Sequence, residues 1–311
     1  GYLKNNDDVI QDILSYKDNE TSYFSILQNE VYTQHGIQIT SSKLDRVLDK
    51  IKNTGIQIVN IADVNEGIQT GANEVFVFNE LPDFYSKLSN KEKRYFKPFY
   101  KNSDIKRYLV YRNKIKHILY IDNSFDIELC SGIKDYLEKN KTRLIDRAQI
   151  KRSKQKWYTL LWPRNKELFE GNAIVTSYRP SNIDFAFKDF TFYSGTDTYY
   201  ISNPNEKYSL LFILGAINSV VAKAWFFNRG KVKGKALEMT GDNIEKFPVP
   251  QIKNSRDKEN ADKINILVEK IIENKKKDSE FDTGELEVEI DQLVMDLYGL
   301  NEEEKDIISN S

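Results

Sequence analysis

Apolar residues recur every three or four positions in some stretches of this chain and every second position in others, and the two periods predict different elements. Asp7–Tyr16 and Ser42–Asn53 carry the helical spacing; the second is capped by Ser41 or Ser42 and stopped by Gly55. Ile56–Ile61 and Val75–Phe78 are β-branched and aromatic runs flanking the Glu66–Gly71 loop, which predicts strand, loop, strand. Ser89 followed by Glu92 has the spacing of a capping box for a helix over Asn90–Phe96. Tyr108–Tyr111 and His117–Ile121 then read as a strand pair, and Gly132 to about Arg152 as one long basic helix. Strands are expected near Ala173–Tyr178, Ile183–Phe187, Phe190–Tyr193 and Thr198–Ile201, followed by an apolar helix over Lys207–Phe227 and the extended Phe247-Pro248-Val249-Pro250.

Beyond Pro250, Ile264, Leu267, Val268, Ile271 and Ile272 form one helical stripe. Leu286, Ile290, Leu293, Val294, Leu297 and Tyr298 form another, with Asp278–Gly284 between them. The natural reading is a helical hairpin, packed on its own chain in preference to another protein. The expected fold class is α+β, a mixed β-sheet with several helices and a C-terminal helical hairpin. The expected division is 1–41 as a linker or remnant of an upstream domain, 42–250 as the main domain, and 251–311 as the acidic hairpin.

Composition narrows the classes. With 311 residues, 40% hydrophobic and 30% charged, the chain is long enough for a substantial core and too apolar for disorder. The single Cys130 excludes an internal disulfide and suggests a reducing, cytoplasmic setting. With His35 and His117 it is too small a set for a structural zinc. The apolar run Leu210–Phe227 is interrupted by Asn218, Ser219 and Lys223, so we expect a core helix and no membrane span. Gly1-Tyr2-Leu3-Lys4 has no signal-peptide character, and a start at Gly1 reads as a chain cut from something longer.

Charge changes the picture more. The net charge is −1, yet Lys91–Arg179 holds 22 basic against 10 acidic residues, while the stretch after Pro250 holds 9 against 17. Segregation of this kind fits a region that meets a polyanion, and equally a set of solvated helix faces. Catalytic constellations are missing from the sequence. No glycine-rich phosphate loop follows a strand, and no nucleophile elbow accompanies either histidine. Pro82-Asp83 with Glu92-Lys93-Arg94 is an incomplete metal-nuclease pattern, because Arg replaces the final Lys on an expected helix. Asn203-Pro204-Asn205-Glu206 lacks the second proline and the aromatic of a base-amine loop. Trp157 and Tyr158 lie beside Leu160, Leu161 and Trp162 and read as core more readily than as a stacking platform. Lys231, Lys233 and Lys235 form a glycine-flanked basic loop, either a backbone clamp or a connector.

The order of several motifs resembles a known family. Leu48-Asp49-Lys50-Ile51 leads to Ile61-Ala62-Asp63-Val64-Asn65-Glu66-Gly67-Ile68-Gln69-Thr70-Gly71-Ala72-Asn73-Glu74-Val75-Phe76. Phe96-Lys97-Pro98-Phe99, Ser103–Tyr108, Tyr136-Leu137-Glu138, Leu144-Ile145-Asp146-Arg147, Trp157-Tyr158 and Trp162-Pro163-Arg164 follow, then Leu214–Ser219 and Ile244–Pro250. The series is similar to the TaqI-like C-terminal specificity domain of Eco57I-type and type IIG restriction-modification enzymes and related adenine methyltransferases. That resemblance covers most of the chain from about Ser42. It implies a target-recognition domain that reads double-stranded DNA beside an upstream methyltransferase domain, which would bind S-adenosylmethionine. It implies no cofactor and no catalysis within this chain.

The basic region agrees with that implication. Arg grips guanine, and Asn or Gln grips adenine, so Arg112, Arg152, Gln155, Arg164 and Arg179 are candidate base readers at expected loops and element ends. Lys97, Lys101, Lys106, Arg107, Arg143, Arg147, Lys151 and Lys154 are candidate phosphate contacts. A second reading stays open: a protein-interaction scaffold, or specificity subunit, that binds a partner through the acidic hairpin. Salt separates the two. If about five phosphates are neutralised, duplex affinity should fall with a log–log salt slope near roughly −4.5, measured by anisotropy titration between low and moderate salt. Salt-independent affinity would count against the basic face.

Overall fold

The computed structural model describes residues 32–33, 36–37, 42–112, 115–180, 182–233 and 236–311; the helix expected over Asp7–Tyr16, together with His35 and Lys235, lies outside them. A six-stranded mixed sheet divides the described chain. Its order is Asp63–Glu66, Thr198–Ser202, Ala173–Ser177, Phe185–Lys188, Tyr108–Val110, Ile105–Lys106. All neighbours are antiparallel except Phe185–Lys188 and Tyr108–Val110, which run parallel. Alternation along a strand sends successive side chains to opposite faces. Ile174, Phe185 and Ile201 enter one hydrophobic core, and Ala173, Val175, Ala186 and Tyr200 enter the other. Both faces are covered, which is why Ala173–Ser177 reads as an unbroken buried run.

The first core is helical. Ser42–Thr54, Leu210–Asn218, Val220–Arg229, Ser255–Lys277, Gly284–Leu297 and Glu302–Ser309 pack on this face. The stripe Ile264, Leu267, Val268, Ile271 and Ile272 is buried there, with Ile290 and Val294 of the second hairpin helix. The hairpin therefore packs on its own chain. A third helix, Glu302–Ser309, follows it with an Asn301–Glu304 capping box and lies against Ser42–Thr54, where Lys50 pairs with Glu304 at 2.6 Å. Pro248–Pro250 returns to pair with Gly55–Gln57, closing the core from the far end of the chain. The second core holds a three-stranded antiparallel sheet, Val77–Phe78, Lys116–Leu119, Phe96–Phe99, and the short basic helices.

Several elements differ from expectation. Tyr108–Val110 and Lys116–Leu119 are strands but belong to different sheets, since each finds its backbone partners among distant segments. Ile56–Ile61 is strand only to Gln57 and then a 3-10 turn over Ile58–Asn60, with Ile58 buried. Asn73–Phe76 is one helical turn ahead of the strand Val77–Phe78. The single long basic helix is three, Ser131–Lys139, Lys141–Ile145 and Ala148–Arg152, broken at Asn140 and at Arg147, where the backbone leaves helical geometry (ψ 124°). The Ser89–Glu92 capping box forms, on a helix that ends at Lys93.

Lys207–Phe227 is likewise two helices, Leu210–Asn218 and Val220–Arg229, bent by 65° at Ser219. No single described helix is long and apolar enough to cross a membrane. The polar groups freed at the bend find partners, as a buried break requires. Ser219 caps the second helix by accepting from Ala222 N, and Asn218 exchanges two bonds with the Phe185 backbone, at 3.1 and 2.9 Å. Arg107 donates to Asn218 O, to Ile183 O and to the Glu287 carboxylate, and Asp291 Oδ1 accepts from Val220 N at 2.9 Å. One junction thus ties sheet, bent helices and hairpin together.

Burial pushes the Asp291 carboxyl up from 3.8 to about 6, against the bond from Val220 N and the charge of Arg107. A raised acid binds its proton in the folded state first, so its contribution to stability declines as pH rises from about 4 to about 6. Asp291→Asn keeps an oxygen acceptor and cannot ionise. The variant should gain stability relative to the parent through that window and hold the gain to neutral pH, read as urea midpoints from pH 4 to 8. Parallel midpoints across the window would sink this account.

Candidate nucleic-acid interface

The Gly67–Asn73 loop leaves the edge strand Asp63–Glu66 and is pinned from three sides. Gly67 N donates to Thr198 O and Ile68 N to Ser194 O, both at 2.9 Å, while Gln69 and Trp162 exchange backbone bonds at 3.1 and 2.9 Å. A Cβ on Gly67 would stand 2.2 Å from Gly195 O, so only glycine allows this approach, and Gly71 occupies left-handed backbone at φ +72°. Thr70 Oγ1 accepts from Ala72 N and gives its own proton to Asn73 Oδ1, at 2.6 Å.

From beneath, Arg147 holds the loop. It is 7% exposed and donates to Leu144 O, Thr70 O, Thr159 O and Trp157 O. Burial pulls its pKa down to about 10, and its fork is filled by carbonyls. Arg164 clamps the other end, with Nε on Gly67 O at 3.2 Å and Nη2 on the Glu66 carboxylate at 3.0 Å. Above the loop lies an open cleft of about 560 Å³, bounded by Gln69, Asn73, Glu74, Phe99, Arg143 and Asp197.

The candidate residues sort by what their charged groups already hold. Arg147, expected on phosphate, is an internal clamp, because its guanidinium is spent on four carbonyls. Arg107, likewise expected on phosphate, is spent on the junction with Glu287. Two expected base readers are committed inside the protein: Gln155 Nε2 donates to Thr159 Oγ1, Leu160 O and Leu161 O, and Arg164 holds the loop. Arg179 is exposed but pairs with the buried Glu238 at 2.8 Å. Lys97 pairs with Glu170 at 3.3 Å, Lys151 with Asp146 at 3.0 Å, and the exposed Arg143 with Glu74 at the cleft rim. Arg112 is exposed and stacks on Phe190, 3.7 Å from the ring centre. Lys101, Lys106, Arg152 and Lys154 are exposed, and their charged ends make no hydrogen bond or salt bridge among the described residues; the charge of Lys106 acts on Asp184 without a bond between them.

Other singled-out residues are structural. Glu92 of the nuclease-like pattern is buried; burial alone would raise its carboxyl, but bonds from Ser89, Ile133 and Gly132 hold it below the usual range. Trp157 and Tyr158 are half-buried against the second core, edge to face. Among the described residues no group of three or more His, Cys, Asp or Glu is placed to hold a metal ion. The space beside the glycines of the Gly67–Gly71 loop is filled by Gly195 O and Leu161. Gln69 and Asn73, at the cleft, were not among the residues expected from sequence; their signal was the amide-bearing glycine loop itself.

No family model matches the chain. The type II methyltransferase M.MjaIV of Methanocaldococcus jannaschii is 27% identical over 257 residues, 79% of this chain and 82% of that protein. Among solved structures, the type IIL restriction-modification enzyme MmeI, in complex with DNA, aligns over 82% of this chain with a TM-score of 0.58 at 14% identity. The type IIG restriction endonuclease BpuSI aligns over 83% with a TM-score of 0.46 at 13% identity. The chain spans about a third of each of those two chains, 35% and 34%. Over most of its length it is thus similar to a type II methyltransferase, and its α+β fold is shared with a part of MmeI.

The clamp and the open cations should behave differently when their charge is removed. Arg147→Met strands buried carbonyls and should cost about 3 kcal/mol in chemical denaturation. Arg152→Met should stay within about 0.5 kcal/mol of the parent. Equal losses would show that Arg147 is not the clamp described.

Proposed function

We propose that this chain is the sequence-reading, DNA-binding portion of an adenine-specific DNA methyltransferase or type IIG restriction-modification enzyme of the cytoplasm, with a TaqI-like target-recognition fold. In this reading it grips double-stranded DNA while a separate upstream domain binds S-adenosylmethionine and transfers the methyl group. The chain itself performs no chemistry. The similarity to M.MjaIV supports the enzyme class, and a DNA complex of MmeI, whose fold this chain shares in part, supports the partner.

The observation that carries the DNA reading is the set Lys101, Lys106, Arg152 and Lys154, exposed cations that hold no salt bridge among the described residues, within the one basic stretch of an otherwise acidic chain. Such cations release counterions on meeting phosphates and supply affinity without sequence preference. Arg112, Lys97, Lys151 and Arg143 add charge that exposed, weakly held partners give up easily. The scaffold alternative is less favoured, since the apolar stripes of the hairpin are already covered by the chain's own core.

Reversing all four cations, as Lys101→Glu, Lys106→Glu, Arg152→Glu and Lys154→Glu, should leave the thermal melt close to the parent's. Duplex binding should weaken strongly, and the salt slope should shrink by roughly one for each phosphate that is no longer neutralised. A folded variant that binds duplex DNA as tightly as the parent at every salt concentration would overturn the proposal.

A further inference from the structure

We propose that Gln69, seconded by Asn73, is a base-reading residue that takes the edge of an adenine into the Gly67–Asn73 cleft; this rests on the DNA-binding reading above. Sequence reading needs a hydrogen-bonding fork with free donors and acceptors on a support that does not move. Gln155 and Arg164 fail the first requirement, because their forks are filled from within. Gln69 meets both. Its side chain is exposed on the cleft and has no hydrogen-bond partner among the described residues. Its backbone is locked to Trp162 through both amide groups, and the next carbonyl, Thr70 O, is held by Arg147 at 2.8 Å.

Asn73 is oriented by its neighbours. The Thr70 hydroxyl accepts from Ala72 N and donates to Asn73 Oδ1, which leaves Asn73 Nδ2 without a hydrogen-bond partner among the described residues, in a residue that lines the same cleft as Gln69. The cleft also says what it does not take. Glu74 and Asp197 stand in its walls and repel a phosphate, while carboxylates accept from base amino groups. The amide of Gln69 matches adenine best, its oxygen accepting from N6 and its nitrogen donating to N7. Arg143 sits at the rim in an exposed pair with Glu74, and such pairs are weak enough for Arg143 to exchange its carboxylate for a neighbouring phosphate.

The test is selection from a randomised duplex pool by the whole chain, with Gln69→Ala, Gln69→Glu and Arg143→Ala alongside. The bonds that hold Gln69 are all backbone, so both replacements at that position should melt with the parent. The parent should enrich a consensus containing adenine at one position. Gln69→Ala should bind the unselected pool with the parent's affinity and salt slope, yet lose the adenine preference at that position by about tenfold. Gln69→Glu should move the preference toward cytosine, whose N4 donates to a carboxylate. Arg143→Ala should weaken binding to every sequence alike and leave the consensus intact. A consensus unchanged in Gln69→Ala, or salt-dependent binding by the parent with no consensus at all, overturns the inference and spares the DNA-binding reading. Absence of duplex binding by the parent removes both.

Discussion

The buried guanidinium of Arg147 is the constraint on which the candidate interface depends. A planar donor fork in a low-dielectric interior must find acceptors, and here it finds the carbonyls of Leu144, Thr70, Trp157 and Thr159. Those carbonyls come from three separate stretches of chain, so one side chain fixes the Gly67–Asn73 loop, the end of a basic helix and the Trp157–Leu161 turn relative to one another. A hydrophobic residue would fill the space but leave four carbonyls without donors. Arg147 is thus best understood as the support under the cleft.

Arg107 plays the matching part on the other face of the sheet. It joins Asn218 O at the helix bend to Glu287 on the hairpin, while Asp291 caps the second bent helix. The acidic C-terminal helices are therefore part of the helical core, and the sheet lies between that core and the one that holds the loop residues Ile68 and Ala72. The most arginine-rich part of the sequence spends three of its arginines, Arg107, Arg147 and Arg164, on architecture.

That division bears on how such a surface distinguishes DNA sequences. Lysines and exposed arginines with mobile side chains suit phosphates, where position matters little and charge matters most. Reading a base edge asks instead for a short, oriented amide on fixed backbone. Pinned between Trp162, Ser194 and Thr198, the glycine loop provides such a backbone. In the proposed arrangement, affinity and specificity reside on different elements: the cations of the basic stretch, and the rim of one cleft.

Local signals were enough for what local physics decides. Helical spacing located Ser42–Thr54 and both hairpin helices, and strand-like apolar runs located Ala173–Ser177 and Thr198–Ser202. The Ser89–Glu92 capping box was legible because both of its partners lie within four residues. The α+β class and the charge segregation needed no more than the sequence. Pairing and commitment did not follow from it. Tyr108–Val110 and Lys116–Leu119 look like hairpin partners and enter different sheets, because strand partners are chosen by distant backbone. Ser219 bends an apolar run that reads as one helix, since the Phe185 backbone and Asp291 stabilise the break. Arg147, Arg107, Gln155 and Arg164 look like any other surface cations and amides in one dimension. Whether such a group faces solvent or a ring of carbonyls depends on chain brought from up to 180 residues away, and only the tertiary structure decides it.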